Sequence, residues 1–158
     1  MKKIILSIAA VFAFGLANAQ DVKYGAKAGL DFASQKVVTP FGTFTASENG
    51  FFIGGFATVG ISDKLAVQPE LLYVSIKNLN FISIPVLAKY GIANKLSALA
   101  GPSFNYFSDQ PTEKLKINID LGATYDVTDK IDVNAKYSMG LTGDIQLSGL
   151  FIGAGYKF

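Results

Sequence analysis

The chain has 158 residues, 50% of them apolar, with 16 Gly and no Cys, His or Trp. Its 14 basic residues, all Lys, stand against 12 acids, for a net charge of +2 and a mean hydropathy of +0.35. This length suits one domain. The composition excludes a disulfide framework, thiolate or imidazole metal sites, His-based catalysis and the basic footprint of a nucleic-acid binder.

Lys2 and Lys3 precede an apolar run from Ile4 to Ala17, and Ala17-Asn18-Ala19 is the small-x-small pattern that a signal peptidase reads. The run falls short of the ~20 residues needed to span hydrocarbon. We therefore expect residues 1–19 to be a cleaved signal peptide, removed after Sec-type export, and residues 20–158 to form the working domain. Loss of Lys2 and Lys3 leaves that domain with equal numbers of lysines and acids.

Beyond Gln20 no segment has helical periodicity; the recurring signal is strict alternation, the period of strands with two unlike faces. Eight strands are predicted near 22–34, 50–61, 65–77, 81–92, 96–106, 115–127, 131–141 and 147–158. In the sixth, Ile117, Ile119, Leu121, Ala123, Tyr125 and Val127 alternate with Lys116, Asn118, Asp120, Gly122, Thr124 and Asp126. Eight successive strands without helices read as an antiparallel meander. Three connections are short and alike: Ser62-Asp63-Lys64, Ala93-Asn94-Lys95 and Thr128-Asp129-Lys130. Their Asx residues suit tight turns, because the side chain bonds the local backbone and tolerates a left-handed conformation. The intervening connections, 35–49, 78–80, 107–114 and 142–146, are longer or more variable. Short turns on one rim and longer loops on the other are the asymmetry of an outer-membrane barrel.

Which face meets solvent or lipid follows from the residues on it. The apolar face bears no charge except Lys77, at a strand end, whereas most strand glycines fall on the polar face. Glycine belongs inside a narrow barrel, where eight strands leave barely enough space for side chains. Tyr24, Tyr90, Tyr125, Tyr156 and Phe158 gather at one end of the apolar face, and Phe32, Phe51, Tyr73 and Tyr106 at the other. These are two interfacial girdles. The predicted architecture is all-β: an eight-stranded antiparallel up-and-down transmembrane β-barrel. Pro69, Pro85 and Pro102 lie inside strands, and since Pro donates no ladder hydrogen bond, bulges or local breaks are expected there.

Several segments resemble PorT-like outer-membrane β-barrel proteins. They are Lys23-Tyr24-Gly25-Ala26-Lys27-Ala28-Gly29-Leu30-Asp31-Phe32, Gln68-Pro69-Glu70-Leu71-Leu72-Tyr73, Ile84-Pro85-Val86-Leu87-Ala88-Lys89-Tyr90, Ala100-Gly101-Pro102 and Gly155-Tyr156-Lys157-Phe158. The resemblance implies an eight-stranded barrel of the OmpA or OmpX kind in a Gram-negative outer membrane, with prolines at the family's positions. It also implies that Phe158, with Tyr156 and Ile152 on the same face, forms the signal read by the barrel-assembly insertase.

Alternation points Lys23, Lys27, Lys89, Lys116, Lys136 and Lys157 inward beside Asp31, Glu70, Asp120, Asp126 and Asp132. Because an unpaired buried charge is costly, these are expected to pair and fill the lumen. The competing reading is a narrow, porin-like channel or a transport- or secretion-associated barrel. No catalytic, cofactor-binding or metal site is expected: Glu70 and Asp120 lack a His partner, and no Ser–Lys spacing stands out. The connection 35–49 reads as two β-prone arms around Pro40-Phe41-Gly42, a ribbon projecting past the membrane, with Val38, Phe41 and Phe44 as candidate contacts. The expected role is structural or surface-interacting, with adhesion or partner binding by strand addition. The expected partners are outer-membrane lipid and lipopolysaccharide, the insertase and periplasmic chaperones during biogenesis, and an unidentified surface partner, with no nucleic acid.

Overall fold

A computed structural model describes residues 22–39, 42–77, 79–107, 114–141 and 145–158. The predicted leader, residues 1–19, and Phe41 lie outside the described residues. Eight strands run in chain order: β1 (Val22–Thr39), β2 (Gly42–Gly60), β3 (Leu65–Ile76), β4 (Leu79–Ala93), β5 (Leu96–Phe107), β6 (Leu115–Asp126), β7 (Ile131–Gly140) and β8 (Ile145–Lys157). Each pairs antiparallel with its sequence neighbour, and β1 pairs with β8 from Gly25↔Lys157 to Val37↔Ile145, which closes the barrel. Closure satisfies the edges that an open sheet would leave unpaired.

Alternation sorts the side chains as the sequence requires. In β7, Ile131, Val133, Ala135 and Tyr137 are exposed on the outside while Asp132, Asn134, Lys136 and Ser138 are buried inside. Both aromatic girdles stand exposed on the outer face, and Tyr137 joins the loop-side girdle, at the level of Leu150 and Phe32 in the register. Several glycines hold the wall thin. A Cβ at Gly54 would fall on the carbonyl oxygen of Leu71, and one at Gly29 on that of Ile152. Gly91 is different, since a Cβ there meets nothing nearer than 3.8 Å.

The turns close by another device than expected. The Ser62 hydroxyl accepts from Leu65 N–H at 3.2 Å, and the Thr128 hydroxyl accepts from Lys130 and Ile131 N–H at 3.2 and 2.9 Å. In the middle turn it is Lys95, not Asn94, that adopts the left-handed conformation, with φ of 66°. A hydroxyl two or three residues before a turn's last N–H caps it as well as an Asx side chain does.

The prolines interrupt ladders without shifting register. Pairing of β3 with β4 stops at Pro69↔Val86 and resumes at Leu72↔Ser83. Between β4 and β5 it stops at Pro85↔Ser103 and resumes at Ala88↔Ala100. Between β2 and β3 it skips from Phe56↔Glu70 to Val59↔Val67. The register irregularity of β4 and β5 falls instead between Gly91 and Ala93.

Candidate functional site

Two features are candidates for function: what fills the lumen, and what the first hairpin leaves open. The lumen has a polar layer and an apolar one. In the polar layer Lys27 of β1 reaches past Gly54 of β2, where no side chain intervenes, and donates to Glu70 Oε1 of β3 at 2.6 Å. Gln68 Nε2 donates to the same oxygen at 2.8 Å, and Thr58 Oγ1 donates to Gln68 Oε1 at 3.2 Å. Lys136 enters from β7, nearly opposite β3. Its Nζ lies 2.8 Å from Asp120 Oδ2 and 3.6 Å from Glu70 Oε2, and Ser103 Oγ donates to Asp120 Oδ1 at 2.8 Å. Lys27, Glu70, Lys136 and Asp120 are all buried. The network therefore spans the lumen from β1 and β3 to β6 and β7 as a transverse bar.

A second cluster lies toward the short turns. Asp126 and Asp132 face each other across β6 and β7, a repulsive arrangement for like charges. Lys157 offsets it, with Nζ 2.5 Å from Asp126 Oδ1 and 3.9 Å from Asp132 Oδ2. Thr124 and Asn134 also donate to Asp132 Oδ1. Of the other predicted lumen residues, Lys23 is exposed at the rim and Lys89 is half-buried on β4. Lys116 sits 5.9 Å from the Phe107 ring centroid. Asp31 is buried at 1% exposure and lines a cavity beside the bar, with no ion pair of its own among the described residues.

The apolar layer is where the structure departs from the sequence reading. Instead of charges and glycine alone, the lumen holds a cluster of Ala33, Phe52, Leu72, Val74, Ile76, Phe81, Phe107 and Phe151, with Leu79 and Leu147 against it. Phe52 and Phe151 tilt together at a centroid separation of 5.5 Å, and Phe81 and Phe107 at 4.7 Å. The two layers are joined by cations over rings: Lys136 Nζ lies 5.1 Å from the Phe151 centroid and Lys27 Nζ 5.4 Å from that of Phe56. Alternation missed this cluster because β2 and β3 are apolar on both faces, as in Phe51-Phe52-Ile53 and Leu71-Leu72-Tyr73-Val74.

The first hairpin supplies the open edge. β1 and β2 pair without interruption from Val22↔Val59 to Thr39↔Gly42. β3 pairs with β2 only from Gly50↔Ile76 inward, because the chain turns at Lys77 toward β4. Gly42–Asn49 thus has β1 on one side and no strand on the other among the described residues, about 26 Å of free edge at ~3.3 Å per residue. Val38 pairs with Thr43 and Phe44 with Val37, near the ribbon's tip. Ile152 in the middle of β8, Tyr156 near its end and Phe158 just beyond it are exposed on the outer face, with Tyr156 and Phe158 edge-on at a centroid distance of 5.9 Å.

A family model described as the outer membrane protein beta-barrel domain matches residues 6–158. The chain belongs to this family. It is a small outer-membrane β-barrel protein with buried, paired charges in its lumen. No curated protein matches it in sequence. Among solved structures it is similar to Neisserial surface protein A, with a TM-score of 0.59, 17% identity and coverage of 88% of this chain and 100% of that one. It is also similar to Ail, the attachment invasion locus protein of Yersinia pestis, with a TM-score of 0.56, 15% identity and the same coverages. A de novo designed transmembrane barrel aligns with a TM-score of 0.52, 18% identity and coverage of 89% and 99%. At these identities the likeness is one of fold. It agrees with the strand number and closure read from alternation.

Proposed function

We propose that this barrel is a non-enzymatic surface-interaction protein that captures an extended, β-prone segment of another protein by strand addition to β2. The observation that carries this reading is the free edge of Gly42–Asn49, held out by continuous pairing with β1. An unpaired strand offers a row of N–H and C=O groups, which gives affinity, while alternate side chains give selectivity. The lumen supports a surface role rather than conduction, because the ion-pair bar and the phenylalanine cluster obstruct it in series. Two structurally similar proteins are named a surface protein and an attachment invasion locus protein.

Within its family the chain fits the PorT-like group, on its Pro-Glu-Leu and Ile-Pro-Val-Leu-Ala-Lys-Tyr segments. Residues 1–19 direct Sec-type export and are removed before Gln20, which N-terminal sequencing of the outer-membrane protein checks. Periplasmic chaperones and the barrel-assembly insertase deliver the chain into lipid and lipopolysaccharide, with Ile152, Tyr156 and Phe158 as the assembly signal.

The functional test is deletion of residues 37–45. Vesicles displaying the intact protein bind immobilised extended, β-prone peptides, and the deletion abolishes binding while leaving the barrel folded. Equal binding by both proteins would reduce the ribbon to a structural closure of the barrel mouth.

A further inference from the structure

The lumen's ion pairs account for Glu70, Asp120, Asp126 and Asp132, whose cations are Lys27, Lys136 and Lys157. Asp31 belongs to none of them. It is 1% exposed on the inner face of β1, and its Oδ1 has no hydrogen-bond partner. That oxygen occupies the space left by a missing side chain, since a Cβ at Gly149 would lie 2.5 Å from it. A buried carboxylate oxygen without a partner is costly.

Asp31 lines a cavity together with Asn105, Asn118, Ser138 and Ser148, walled by Phe81, Leu147 and Phe151. Asn118 spends its amide nitrogen on Ser138 Oγ and Leu147 O, both at 3.0 Å, so its remaining polar atom is a carbonyl oxygen. The available groups are thus one carboxylate, two side-chain amides and two hydroxyls, an oxygen-rich set suited to a hard cation. The cavity's volume is about 10 Å³, room for about one water-sized sphere. A divalent ion that keeps several waters does not fit, and no group of three metal-ligating acidic residues occurs among the described residues.

We propose that Asp31, Asn105, Asn118, Ser138 and Ser148 form a binding site for a single dehydrated monovalent cation of sodium size. The ion adds positive charge at the Asp31 oxygen that no side chain bonds among the described residues; Lys136, whose charge also acts on Asp31, is engaged with Asp120 and Glu70. It ties β1 to β5, β6, β7 and β8 above the ion-pair bar, and so adds to the lumen's closure.

The test is urea unfolding of the full barrel in detergent, at fixed pH and ionic strength, in sodium chloride and in N-methylglucamine chloride. The organic cation is too large for the cavity. A ligand that binds only the folded state raises the unfolding midpoint as its concentration rises. The wild-type midpoint is therefore higher in sodium, and Asp31→Asn has the same midpoint in both salts. Asn105→Ala keeps the charge and raises the half-saturating sodium concentration about fivefold, the worth of one neutral contact. Sodium-23 relaxation broadens in the presence of the wild type and not of Asp31→Asn. If Asp31→Asn does not fold, Asn105→Ala and the wild-type relaxation decide the matter. A wild-type midpoint indifferent to the cation would overturn the proposal, with a proton then neutralising Asp31. So would a sodium dependence that survives Asp31→Asn.

Discussion

Replacing Glu70 by Gln perturbs the bar at its centre while preserving shape. Glu70 is 2% exposed and holds Lys27 Nζ at 2.6 Å and Lys136 Nζ at 3.6 Å. Gln retains a carbonyl oxygen for Lys27 but removes the charge, so Lys27 keeps only that dipole and the ring of Phe56. Lys136 keeps Asp120 at 2.8 Å and loses less. Stranding one partner of a buried pair costs about 3–5 kcal/mol, which is more than a hundredfold in the folding equilibrium. Glu70→Gln should therefore lower the free energy of urea unfolding in detergent by about that amount. Lys27→Met in the same background should recover most of the loss, because the charge left without its partner is then gone as well. The double-mutant cycle isolates the pair's coupling. A single-mutant cost below about 1 kcal/mol, or no recovery in the double mutant, would refute the claim that these charges are desolvated and mutually dependent.

Other consequences are open to measurement. In planar bilayers the purified protein should give no stable ion-sized conductance steps, since the bar and the apolar cluster lie in series; steady steps would show an open path. Phe52→Ala should cost about 3–5 kcal/mol in the same unfolding assay, because Phe52 is 2% exposed and packs on Phe151. Gly54→Ala should cost about 1–3 kcal/mol, since its Cβ meets the Leu71 carbonyl, a backbone atom that cannot rotate away. Gly91→Ala, with open space, serves as the near-neutral control.

Strand number, closure and most of the inward charges were legible because alternation is strict in β6 and β7, where polar residues or glycine alternate with apolar ones. The pairing of those charges was not. Lys27 meets Glu70 two strands away, and Lys136 reaches Glu70 from across the lumen, relations set by closure and not by spacing along the chain. The apolar cluster was hidden for a related reason. Phe52, Leu72 and Val74 are flanked by apolar neighbours that face lipid, so hydrophobicity alone does not tell inside from outside there. The ribbon was legible in kind, from the β-prone arms around Pro40-Phe41-Gly42. Its free edge depends on β3 ending at Ile76, which only the register shows. Asp31 reads in sequence as one more lumen charge; that its Oδ1 faces a cavity with no bonded partner is a matter of three-dimensional placement.

The central claim is that this barrel works through the outer edge of β2. Ser47 and Glu48 pair with Ser34 and Ala33 across β1, and in an antiparallel ladder successive residues direct their N–H groups to opposite sides. One of the two therefore holds β1 and the other faces the free edge. Vesicles carrying Ser47→Pro and Glu48→Pro should be compared for binding to immobilised extended, β-prone peptides, with barrel folding checked in each. Strand addition predicts that the proline at the edge-facing position abolishes binding while the barrel stays folded. Full binding by both folded variants would contradict it.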